Sequence, residues 1–307
     1  MVKEKREMKE IFKAVGKAVL YFGVYLLVQV IVSMIFSISI STKLTMEMMA
    51  TGEELDVMAL TEQVTAAVMD QAMLMTFISG IAVLLIYWVI FLIRKKKLTA
   101  EVMIRPIPTK GILPIVLLAI AFNVITSVLI GIVPWPQSWM DSYIMNSSVI
   151  DNSLIAWLTA VLMAPVLEEV VFRGLMYTRL KKGMTIVTAT VLTSLAFGIM
   201  HGTIIWAIYT FIFSIVLIWV FEKFRSLTAN IILHMAYNLS GMAMSLIPED
   251  AGAIVWILFA ASIVFAVVAY HMIQKIATKL PGMEEETVAA EPPVEAVEEA
   301  VTDTTRE

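Results

Sequence analysis

LIAWLTAVLMAPVLEEVVFRGLMYTRLKK, residues 154–182, is an apolar run long enough to cross a bilayer, yet it carries Glu168, Glu169 and Arg173 in its interior. An ionisable side chain at the centre of a membrane helix costs about 2.5–3.5 kcal/mol on insertion scales, so such groups face a cavity or a partner and have a purpose. Glu169 and Arg173 stand one turn apart and can pair along one helical face. Glu168 projects about 100° away, which leaves it free for chemistry. Pro165 removes the backbone hydrogen bond to Val161 and predicts a kink just before the glutamates.

The rest of the chain has the same character. Of its 307 residues 60% are hydrophobic and 16% charged, whereas about a quarter of the residues of a soluble domain are charged. Runs able to cross the ~30 Å hydrocarbon core fall at about 18–40, 72–93, 112–133, 154–173, 184–202, 204–221, 227–247 and 252–273. The expected fold is therefore all-α, a polytopic integral membrane protein with about eight transmembrane helices, or seven, since only the brief polar notch at His201, Gly202 and Thr203 separates the fifth and sixth runs. Pro114 falls in the first turn of its expected helix, where a missing N–H does little harm.

Basic residues gather in alternate loops: Lys3 to Lys17, Arg94 to Lys97, Arg105 and Lys110, Arg173 to Lys182, Lys223 and Arg225, then Lys275 and Lys279. The positive-inside rule then places both termini in the cytoplasm, with the cell membrane as the expected location. Trp135 and Trp139 suit interfacial anchors in a loop without Lys or Arg. The organisation that follows is a basic cytoplasmic N-terminus (1–17), N-terminal membrane helices (18–150) with an acidic extracytoplasmic loop (42–70), and a membrane region holding the charged span (151–275). An acidic tail (280–307) is too polar to bury a core and is expected to be disordered in the cytoplasm.

Several chemistries are excluded outright. Cys is absent, which removes disulfides, thiolate ligands and a cysteine nucleophile. The three histidines, His201, His234 and His271, are followed by Gly202, Met235 and Met272, so no H-E-x-x-H helix exists. Every Asp lies in an expected loop or at a helix edge, and Ser79-Gly80 lacks the setting of a serine nucleophile. No basic patch suggests nucleic acid. His271 reads as an interfacial residue and Met46 to Met49 as adaptable packing.

What remains is a set of polar groups on three consecutive or neighbouring spans. Phe197 with His201, and His234 with Asn238, are i,i+4 pairs, each on one helix face. With Arg173 and Ser226 at the cytoplasmic interface and ~1.5 Å rise per residue, Glu168, His234 and His201 fall about 7, 12 and 15 Å deep. They can meet in a pocket open to the cytoplasm.

Glu168-Glu169-x-x-x-Arg173, Phe197-x-x-x-His201 and His234-x-x-x-Asn238 resemble the three signature motifs of the CPBP family, the CAAX proteases and bacteriocin-processing enzymes also called Abi proteins. The resemblance covers roughly residues 150–245 and makes 151–275 a CPBP-like catalytic domain. It implies a glutamate-dependent intramembrane endopeptidase with a conical, cytoplasm-facing cavity. Glu168, aided by His201, would activate a water, His234 and Asn238 would stabilise the oxyanion, and Glu169 and Arg173 would support the site. No cofactor is needed in that scheme. Zinc on Glu168, His201 and His234 is the competing arrangement, for which Asn238 is a poor ligand. Partners implied are membrane lipids and a lipidated or membrane-associated peptide or protein. Two readings of other classes stay open: a non-enzymatic immunity or scaffold protein of the same architecture, and a proton-coupled transporter using Glu168, Glu169 and His201 as a relay.

Overall fold

The structure, a computed structural model, describes residues 2–51, 56–150, 153–248 and 252–278. The tail expected from residue 280 lies outside the described residues. Among the described residues all regular structure is helical: α1 (Val2–Thr51), α2 (Val57–Asp70), α3 (Ala72–Ile93), α4 (Leu98–Glu101), α5 (Thr109–Ile132) and α6 (Gln137–Ser147). They are followed by α7 (Leu154–Leu180), α8 (Ile186–Ile199), α9 (Ile204–Phe224), α10 (Leu227–Met244) and α11 (Gly252–Ala277).

Each of the eight apolar runs is a helix, and among the described residues 6 helices are long and apolar enough to cross a membrane. The other two are α8, with 14 residues, and α10, whose apolar pattern is broken by Asn230, His234, Asn238 and Ser240. Large apolar side chains such as Leu20, Ile35, Trp256 and Val264 point outward, as a lipid-solvated surface requires. The protein is an all-α polytopic membrane protein.

Two local expectations are corrected. The segment 42–70 is mostly helix, because no Gly or Pro falls between Gly23 and Gly52, and Asp56 caps α2 by accepting from the amides of Met58 and Ala59. The basic N-terminus forms the start of α1. Pro114 lies in the second turn of α5, which begins at Thr109 directly after Pro108.

α5 is sandwiched between α10 and α11, α8 pairs with α9, and α1 packs on α2, α3 and the second half of α7. The α8–α9 hairpin is tight because Gly198 lies against α9; a Cβ there would stand 2.7 Å from the Ala207 carbonyl oxygen. The turn is completed by Gly202 at φ +81, a left-handed conformation that glycine adopts without strain.

The irregularity expected at Pro165 is larger than a kink. Two π-helical stretches, Leu158–Met163 and Glu169–Tyr177, flank a short α-helical piece, Ala164–Glu168. In the first stretch the amide of Ala164 donates to the Thr159 carbonyl, five residues back. The next carbonyl in that register, Ala160, would need an N–H from Pro165, which has none.

Candidate active site

Glu169 and Arg173 are both wholly buried on α7, joined by a 3.0 Å bond from Arg173 Nη1 to Glu169 Oε1. His234 Nδ1 lies 2.9 Å from the same oxygen, and Asn230 Nδ2 donates to Oε2 at 3.1 Å. A carboxylate offers only lone pairs, so His234 Nδ1 carries the proton of its bond to Glu169. Arg173 also lies over the Phe197 ring, 4.3 Å from its centroid, a favourable cation–π contact. Phe197 touches the His201 and His234 rings as well, at 4.8 and 6.0 Å between centroids. One aromatic side chain on α8 thus ties the buried ion pair to both imidazoles.

Glu168 is turned about 100° round α7 from Glu169 and meets the other side of the same His234 ring. It lines a cavity of about 840 Å³ together with His201, His234 and Asn238. Its Oε2 stands 3.7 Å from His234 Nε2, outside hydrogen-bond range and close enough for one water or substrate atom to bridge. His201 Nδ1 donates to the Phe197 carbonyl at 2.7 Å, so in the neutral ring the Nε2 lone pair is available to the cavity. Asn238 Nδ2 donates to the Ala160 carbonyl at 2.7 Å. That bond supplies the donor that Pro165 lacks, and it uses one of the two N–H groups of the amide.

All six polar residues singled out in the sequence therefore meet. Four line the cavity, and Glu169 and Arg173 sit behind its wall as a neutral, hydrogen-bonded support. Asn230 was missed, although Asn230, His234 and Asn238 recur at four-residue intervals on one face of α10. Also missed was the contribution of helices without a motif: Tyr25 and Gln29 of α1, Thr76 of α3 and Asn123 of α5 line the same cavity. No local pattern marks them, since they reach the site only through packing.

The basic end of α7 lies farther from Glu168 than Arg173 does. Arg173 is wholly buried and α7 runs on to Leu180, so Lys181 and Lys182 close the basic end of that helix. Glu168 is then up to about 20 Å from that end at ~1.5 Å per residue. Moreover, α3, α5 and α9 line the cavity from the half remote from their basic end, through Thr76, Asn123 and Trp206 among others, and His201 and Ser245 lie just past the remote ends of α8 and α10. The cavity thus lies toward the end of the bundle opposite the basic loops.

Among the described residues no group of three or more His, Asp or Glu is placed to hold a metal ion. Glu168, His201 and His234 share the cavity wall, and His201 and His234 each bond one ring nitrogen to a protein acceptor, which leaves the other nitrogen for a partner in the cavity.

Fold and site together define a polytopic membrane protein with a carboxylate-bearing chamber lined by its helices. A family model described as type II CAAX prenyl endopeptidase Rce1-like matches residues 150–240. That is less than a third of the chain, but it holds all three motifs and agrees with the CPBP resemblance and with a protease of this kind. No curated protein and no solved structure matches the chain.

Proposed function

We propose that the protein is an intramembrane endopeptidase in which Glu168 activates a water for attack on the peptide bond of a membrane-associated or lipidated substrate. The observation that supports this most strongly is the division of labour between adjacent glutamates. Glu169 is consumed by Arg173, Asn230 and His234, while Glu168 faces a cavity with His234 Nε2 3.7 Å away.

In this scheme water sits between the Glu168 carboxylate and the free Nε2 of His201. Glu168 takes one proton as the water oxygen bonds to the scissile carbonyl carbon, and the carbonyl oxygen becomes the oxyanion. Positioned general-base catalysis of this kind contributes about 10²–10⁴-fold. The second N–H of Asn238 and a proton on His234 Nε2 donate to the oxyanion, each worth roughly 2.7–4 kcal/mol. His234 must then carry protons on both nitrogens, and two cations, Arg173 and His234, balance the two carboxylates. Glu168 returns its proton to the amine as the C–N bond breaks, so no covalent enzyme intermediate is required. The scheme also needs no metal.

The test is cleavage by purified protein in detergent of a farnesylated peptide ending in C-a-a-X and of a mixed library of quenched fluorescent peptides, followed by mass spectrometry. Cleavage is expected from the wild type and from chelator-treated protein, with ¹⁸O from labelled water in the new carboxylate, and is expected to be lost in Glu168→Gln. Equal cleavage by Glu168→Gln, or no cleavage by folded wild type, would overturn the peptidase reading; loss with chelator and rescue by zinc would overturn the metal-free one.

A further inference from the structure

We infer that the cavity opens on the extracytoplasmic side of the membrane, so that the substrate is a peptide segment presented at the outer face rather than a cytoplasmic protein terminus. The choice of substrate rests on the peptidase reading; the side of access does not.

The argument starts from charge. Arg94 to Lys97 follow α3, Arg105 and Lys110 flank the start of α5, and Lys181 and Lys182 close α7. Lys223 and Arg225 end α9. All gather at one end of the bundle, tied there by ion pairs from Arg179 to Glu101 (2.6 Å) and Lys181 to Glu222 (2.5 Å). At the opposite end Lys43 is the only described Lys or Arg. An asymmetry of this size in short loops orients a membrane protein with the basic end in the cytoplasm.

The cavity avoids that end. Below Glu168 the bundle is solid: Phe172, Leu175, Tyr177, Leu217 and Phe221 are 0–2% exposed. In the other direction the lining climbs to Gly202 and Ser245, both exposed turn residues. The opening follows from helix length. α8 has 14 residues where α9 has 21, so at ~1.5 Å per residue its end falls about 10 Å short. The recess is bordered by α6, whose Tyr143 meets Trp206 of α9 edge to face at 6.2 Å.

The natural absence of Cys makes the test direct. Ser245→Cys at the mouth and Lys182→Cys at the basic end each introduce a single thiol for a membrane-impermeant maleimide. Labelling of Ser245→Cys on intact cells, with Lys182→Cys labelled only after permeabilisation, is the expected result. The reverse pattern, or equal labelling of both on intact cells, overturns the inference. A second arm uses right-side-out vesicles carrying a lipid-anchored quenched peptide on the outer or the inner leaflet. Cleavage only from outside, lost in Glu168→Gln, is expected, and cleavage only from inside overturns it. If the thiols report the expected sidedness and neither peptide is cut, the peptidase reading fails while the sidedness stands.

Discussion

Adjacent glutamates of the same charge should differ sharply in what their loss does. Glu169 accepts from Arg173, His234 and Asn230, and neither it nor Arg173 has any exposed side-chain surface. Glu169→Gln leaves the Arg173 guanidinium buried with no countercharge. Breaking one partner of such a buried pair costs about 3–5 kcal/mol, because the surviving charge stays desolvated. For a domain of about 150–250 residues, each kcal/mol shifts Tm by roughly 2–4 °C, so a drop of about 6–20 °C is expected. Glu168, with 19% of its side chain exposed and His234 no nearer than 3.7 Å, should cost under about 1 kcal/mol when changed to Gln. A double variant, Glu169→Gln with Arg173→Met, removes both charges and should recover much of the loss. The assay is thermal unfolding in detergent followed by intrinsic fluorescence of the 7 tryptophans, since thiol-reactive dyes find no Cys. Equal melting of Glu169→Gln and wild type, or an equal drop for Glu168→Gln, would refute the assignment of structural and reactive roles.

Gly198→Ala should spread the α8–α9 hairpin, because its new Cβ would stand 2.7 Å from the Ala207 carbonyl oxygen; a loss of about 1–3 kcal/mol and up to about 10²-fold in peptide cleavage is expected as His201 shifts, read by melting and turnover together. At the basic end, the hydrogen bond from Lys96 and the nearby Arg179 charge hold the Glu101 carboxyl below its usual range, against the smaller opposing effect of partial burial. A depressed folded pKa adds stability above the unfolded value of about 4.3 and loses it as pH falls through the folded one. The melting difference between wild type and Glu101→Gln should accordingly be positive near about pH 7 and vanish near about pH 3, and a difference independent of pH would contradict it.

The helices themselves were legible because membrane-spanning helices are written in local composition: a long apolar run satisfies its backbone as a helix even where it carries an isolated Gly or Pro, as at Gly80 and Pro114. Helical spacing likewise paired Glu169 with Arg173, and it put His234 and Asn238 on one face before any coordinates were needed. Segment 42–70 misled because acidic character was equated with loop, although an uninterrupted chain and the Asp56 cap favour helix. The bond that Asn238 makes on α7 was not legible. That bond, to Ala160, answers a vacancy created by Pro165 on another helix, and that vacancy exists only because α7 adopts a π-helical register there.

By itself, then, the sequence determined a helical membrane protein, the positions of its apolar helices, the polar residues those helices carry and the end of the bundle that carries positive charge. These depend on neighbours within a turn or two and on the cost of charge in lipid. Only the tertiary structure decided that Glu169 is locked away, that Asn230 and the motif-free helices α1, α3 and α5 complete the chamber, and that the chamber opens away from the basic end. Those outcomes turn on where helices stop relative to one another and on contacts between residues far apart in the chain, which no local spacing encodes.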